Sequence, residues 1–197
     1  HAFATAGDAH AAGDLLRAQA ALVKLDRARE TRSLTDGAAW IVGQLTVKLP
    51  VLGGMVLDVP HLAQHVHAAA DACLGEGSAE ARARASTLVA AAKARGPDAL
   101  LRGIDTLGRS VRSPAKRRAV RALRGYVENH RAMMDYPPLL AAGWDVGSGP
   151  TDALCKTLSL RLRGPGMKWD LDHAADLMDL KAMYASGQAP AYWAAAV

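Results

Sequence analysis

At 197 residues the chain is long enough for one well-buried domain, or for a compact core carrying a large insertion. Half of the residues are hydrophobic but only 5% are aromatic, which favours helices packed through small side chains over an aromatic-rich β-sandwich. The balance of 24 Lys and Arg against 19 Asp and Glu gives a net charge of +5, which suits a polyanionic partner, and the basic residues concentrate at 109–131 and 156–168.

Cys73 and Cys155 lie far apart, so neither a disulfide framework nor a four-thiolate zinc site is indicated, and a reduced, cytoplasmic setting fits. No apolar run approaches the roughly 20 residues that span a bilayer, so no membrane partner is expected.

In chain order, residues 2–7 suit a strand that runs into a helix starting at Asp8, with Leu15, Leu16, Ala20, Leu22 and Val23 on one helical face. Residues 31–35 form a second predicted strand, which stops at Asp36-Gly37. A helix over 38–49 follows and is ended by Pro50. Residues 55–59 form a third β-type run, and Pro60 opens a helix through Leu62, Val66 and Ala69 to Leu74. Strand and helix alternating with short connections predict an α/β layer.

From Ser78 the spacing is helical to about Met134, broken at Gly96-Pro97 and Ser113-Pro114, and Pro137-Pro138 ends this block. A glycine-rich loop spans 143–149, a helix covers 150–162, Gly164-Pro165-Gly166 breaks it, and a last amphipathic helix runs over 171–184. The organisation expected is thus residues 1–77 as the first part of an α-rich α/β core, 78–136 as a helical insertion, and 137–197 as returning core helices.

Asp36 sits where a strand ends and a glycine turn begins. It reads either as the cap of the helix at 38 or as a functional group at a strand end. Asp58 ends the next strand with His61 three positions later, which reads either as a capping Asp with a surface His or as part of a site. His61 and His65 are four apart, the spacing of a zinc pair, but no Glu lies between them and no third ligand is obvious; His65 and His67 are expected to face solvent. Gly147-Ser148-Gly149 opens a helix with Asp152 in its first turn and Lys156 one turn on, followed by Arg161, Arg163, Lys168 and Trp169. A helix start with an acid and following cations can hold a metal and a phosphodiester together; the alternative is a capped helix with a basic solvent face. Trp40 and Trp193 are expected to pack, Trp169 is a candidate DNA contact, and Met133 and Met134 near Tyr136 read as core filling.

Four segments in order, Asp36-Gly37-Ala38-Ala39-Trp40-Ile41, Leu57-Asp58-Val59-Pro60-His61, the helices over 78–134, and Gly147 through Trp169, resemble the ISKra-type insertion-sequence transposases. The resemblance covers nearly the whole chain. It implies an RNase H-like core with a partial sheet and a large all-helical insertion, in which carboxylates bind two magnesium or manganese ions for phosphodiester cleavage and strand transfer. It implies Asp36 and Asp152 as catalytic metal ligands, with Asp152 standing where the family has Glu. Asp58 and His61 would support that site, and Lys116, Arg117, Arg118, Arg121, Lys156, Arg161, Arg163, Lys168 and Trp169 would contact DNA. It also implies double-stranded transposon ends as partner, a homo-oligomer on that DNA, and a bacterial, nucleoid-associated location. The first catalytic Asp of such a fold has no match here. The chain is therefore expected to begin near the third strand of the core and to be inactive alone; the alternative is a non-catalytic DNA-binding or regulatory derivative.

Overall fold

The computed structural model describes residues 2–195. The chain is rich in helix, with one small parallel sheet of two strands among the described residues. It falls into two compact units: residues 2–31, 38–53 and 149–195 of the described chain make one, and residues 32–37 and 54–148 make the other.

The second unit holds the sheet. Strand β1 (Ser33–Thr35) pairs in parallel with β2 (Met55–Leu57), in the register Ser33 to Met55, Leu34 to Val56 and Thr35 to Leu57. A parallel pair needs a connection that brings the chain back to the same end, and both strands end in an acid, Asp36 and Asp58. Three long helices complete this unit: α3 (Val59–Leu74), α4 (Ala79–Ser110) and α5 (Pro114–Asn129), followed by the short α6 (Tyr136–Ala141). Asp58 caps α3 by accepting the His61 N–H, Pro60 occupies the first turn, and Ser78 caps α4 through the Ala81 N–H. The helical break foreseen at Gly96-Pro97 is a kink within α4, where Gly96 adopts φ 74°, ψ −173°. That region is accessible in practice only to glycine.

The core of this unit is built from Leu57, Leu62 and Val66, from Leu88, Leu100, Ile104 and Leu107 of α4, and from Leu123 and Val127 of α5. Met134 and Tyr136 are fully buried in it, as expected of core filling. The Tyr136 hydroxyl donates to the Leu57 carbonyl at 2.9 Å, so its polar end is satisfied where β2 finishes. Pro137 and Pro138 do not end a helix. They lie in the first turn of α6, where a missing N–H costs nothing.

The first unit contains α1 (Ala9–Leu22), α2 (Ala39–Lys48), α7 (Gly149–Ser159), α8 (Leu171–Ala185) and α9 (Ala189–Ala195). Asp8 caps α1 by accepting the Ala11 N–H at 2.9 Å. Helices α1 and α2 meet at Gly13, where a Cβ would come within 2.2 Å of the Gln44 amide oxygen. Lys48 reaches Asp14 at 2.6 Å across this contact. The strand expected at 2–7 does not form. These residues are irregular, being mostly small Ala and Gly with little β preference and no partner strand among the described residues. Trp40 and Trp193, expected to pack, are 54% and 49% exposed.

Candidate functional site

Because β1 and β2 run parallel, their carboxyl ends open on one edge of the sheet, the place where α/β layers present functional groups. The Asp58 N–H donates to the Thr35 carbonyl at 2.8 Å, which fixes the two strand ends side by side.

Asp58 is fully buried. One carboxylate oxygen accepts from the His61 N–H at 3.2 Å and meets His61 Nδ1 at 2.5 Å; the other accepts the Ser148 N–H at 2.5 Å. Burial pushes the Asp58 carboxyl up, but hydrogen bonds from the His61 ring, from Ser148 and from the His61 N–H outweigh it and hold the group below the ordinary carboxylate range. An ionised carboxylate only accepts, so Nδ1 carries a proton and Nε2 is the ring position left for other chemistry. The His61 side chain is 34% exposed, so that position reaches solvent.

The same local pattern occurs at α8. There Asp170 accepts the His173 N–H at 2.9 Å and pairs with the His173 ring. Asp-x-x-His is therefore first of all a way to cap a helix. Asp58 differs from Asp170 by complete burial and by its hold on Ser148, which lies in the glycine-rich loop. The Val59 N–H fastens the same loop through the Val146 carbonyl at 2.9 Å.

Asp36 is half-buried and accepts from the Thr35 hydroxyl at 3.3 Å. The N-cap position of α2 is Ala38, whose own side chain makes no cap bond. Gly37 has φ 82°, and a Cβ there would meet the His130 ring at 2.6 Å. His130 lies with Nε2 3.2 Å from the Gly37 carbonyl and Nδ1 2.8 Å from the Tyr126 carbonyl. The Tyr126 ring lies against both histidines: His65 stacks on it with centroids 3.8 Å apart, and His130 tilts against it at 4.4 Å. The Tyr126 hydroxyl is buried and has no hydrogen-bond partner among the described residues. Burial, then the charges of Asp36 and Asp58, raise this phenol above its ordinary value.

The second unit thus brings together Asp36, Asp58 and His61 from the expected set. It adds Tyr126, His130 and Ser148, whose roles the sequence reading missed. Tyr126 and His130 are four apart on one face of a helical stretch, a signal visible in sequence, but nothing local says that this face meets the strand ends. Asp152, Lys156, Arg161, Arg163, Lys168 and Trp169 belong to the other unit, where all are exposed.

Both Asp58 oxygens are taken by His61 and Ser148. Among the described residues no group of three or more His, Cys, Asp or Glu side chains could hold a metal ion. Asp58 is therefore committed to protein donors, in keeping with a supporting place beside the strand ends, and no reaction step through a metal follows from these contacts.

Basic side chains are arranged differently from acids. Helix α5 carries Lys116, Arg117, Arg118, Arg121 and Arg124 against a single acid, Glu128. Lys116 was expected to contact phosphate, but its ammonium is half-buried and donates to the Cys73 carbonyl at 2.6 Å, closing the end of α3. Arg117 bonds the Arg112 carbonyl, and Arg124 is held by Asp105 and Glu128. Arg118 and Arg121 are exposed and have no ion-pair partner among the described residues. They are three apart, so they share a face of α5 with Arg117.

No helix among the described residues is long and apolar enough to cross a membrane. No protein-family model, no curated protein and no solved structure matches the chain.

Proposed function

We propose that this chain is part of a DNA transposase of the ISKra type, and that its own residues serve to bind the backbone of double-stranded transposon ends. The observation that carries the reading is the outward face of α5. Cations locked in ion pairs are neutralised locally, whereas Arg118 and Arg121 keep their charge available, and Arg117 stands beside them on the same face. Such a face binds phosphates without reading base sequence. Lys156, Arg161, Arg163 and Lys168 of the first unit are a second basic stretch with the same character.

Cutting and strand transfer by a homo-oligomer on paired ends would assign Asp36 and Asp152 to magnesium or manganese. The alternative is a non-catalytic DNA-binding or regulatory derivative of such an enzyme, which needs no metal. The two readings share DNA binding and differ in metal.

Fluorescence anisotropy of a labelled duplex, repeated with unrelated sequences, tests the shared part. Binding that is tight at low salt and indifferent to sequence is expected, with Arg118→Gln and Lys156→Gln each weakening it on every duplex. Absence of binding at low salt would overturn the proposal. A manganese titration separates the readings: a site lost on Asp36→Asn or Asp152→Asn belongs to the cutting enzyme, and no response belongs to the binding module.

A further inference from the structure

The first unit contains a cavity of about 480 Å³ that DNA binding does not use. Its volume lies within the range of small-ligand pockets, roughly 300–1,000 Å³. Phe3, Met183, Tyr192 and Trp193 supply its apolar wall, and Asp176 and Asp179 of α8 supply its charge. The irregular segment at residues 2–5 is fixed in place, because Ser186 Oγ accepts the Ala2 N–H at 2.5 Å and donates to the Ala2 carbonyl at 2.9 Å. Gln188 bonds Gln19 at 3.2 Å, so two of the wall's amide groups satisfy each other.

Three features select the ligand. The charge of the wall is negative on a chain of net charge +5, which excludes phosphates and carboxylates from this cavity. Asp176 and Asp179 are three apart on one helix and form no ion pair within 4 Å among the described residues, although the charge of Asp176 is felt by His173, so a cation placed beside them relieves their mutual repulsion. The Asp179 carboxyl is raised by burial and by the charge of Asp176, as expected of such a pair. Finally, the rings of Tyr192 and Trp193 stand edge to face, with centroids 5.0 Å apart at 84°, and both side chains are about half exposed. Aromatic faces attract cations, and Trp most strongly.

We propose that this cavity binds an alkylated ammonium ion. A primary ammonium brings three N–H donors that each need an acceptor, whereas the other polar side chains of the wall are already engaged: the Thr5 hydroxyl accepts the Gly7 N–H and the Gln19 amide oxygen accepts from Gln188. A methylated ammonium has no donor to satisfy. It gains from the aromatic rings directly and from the carboxylates through charge. The same chemistry is carried by a free small molecule and by a trimethylated lysine side chain of a peptide.

Isothermal titration of the full chain tests this with choline, with its uncharged twin 3,3-dimethylbutanol, and with a short peptide bearing one trimethyl-lysine. Choline is expected to bind at least about ten times more tightly than the alcohol. The preference should vanish in Asp176→Asn/Asp179→Asn and weaken several-fold in Trp193→Leu, while duplex DNA binding stays unchanged in both. Tighter binding of the peptide than of choline identifies the side chain as the source, and comparable binding identifies the free ion. Equal or absent binding of choline and the alcohol, or a preference that survives in both variants, would overturn the proposal without touching the DNA reading.

Discussion

The carboxylate of Asp58 holds the backbone N–H of Ser148 at 2.5 Å across 90 positions of sequence, while its other oxygen orients His61 three residues away. One buried acid therefore caps a helix, aims a histidine and anchors the glycine-rich loop. Replacing it removes a cap, worth about 1 kcal/mol, and leaves buried donors without acceptors at roughly 1–3 kcal/mol. Asp58→Ala is expected to lower stability by on the order of 3 kcal/mol in urea unfolding, and Asp170→Ala by clearly less, because the matching cap at α8 is exposed. Equal losses would mean that burial and the Ser148 contact add nothing.

The same group sets an acid dependence. Its folded-state value is depressed, so the stability it contributes is complete above the ordinary carboxylate range, near pH 4, and is lost as pH falls through the folded value. The urea midpoint of the native chain should therefore drop between pH 5 and acid values beneath the ordinary range. The gap between native chain and Asp58→Ala should close over that interval. A gap that stays constant would show that Asp58 is not ionised in the folded chain.

Much of the local structure was legible because it depends on local signals. Asp8 and Ser78 lie where caps belong, Pro60 and Pro114 lie in first turns, and Gly96-Pro97 breaks α4 where a glycine-only conformation is needed. The two strands were legible as short β-type runs ending in acids. What failed depended on partners distant in sequence. Residues 2–7 have the brevity of a strand but nothing to pair with, and the exposure of Trp40 could not be read from an amphipathic pattern. Lys116 looked like its neighbours Arg117 and Arg118, yet it serves the Cys73 carbonyl 43 positions earlier. The strand-end acids were visible, whereas Tyr126 and His130 join them only through the packing of α5 against α3.

Two glycines separate backbone strain from crowding. At Gly96 a Cβ would meet nothing within 4 Å, so Gly96→Ala costs only the forced conformation, about 1–3 kcal/mol. At Gly37 the left-handed backbone is joined by a clash with His130, so Gly37→Ala is expected to cost more and to shift the His130 ring signals in NMR spectra. A neutral Gly96→Ala in chemical denaturation would contradict the kink.

Histidine titrations followed by NMR should diverge in opposite directions. His65 is lowered by burial against Tyr126 and then by the neighbouring His130 and His61, so it should titrate beneath the ordinary value of 6.5. His173 is raised by its hydrogen bond and charge contact with Asp170, so it should titrate above 6.5. By linkage, the His65 contribution to stability is lost as pH falls through its folded value, and the His173 contribution is lost as pH rises through its own. The reverse order of the two midpoints would contradict the stacking and capping geometry.

The salt dependence of DNA binding bears most directly on the basic face of α5. Plotting the logarithm of the binding constant against that of salt concentration should give a steep negative slope for the native chain, and a slope shallower by about 2 for Arg118→Gln/Arg121→Gln, one phosphate contact for each lost cation. An unchanged slope in the double variant would contradict the assignment of that face to the DNA backbone.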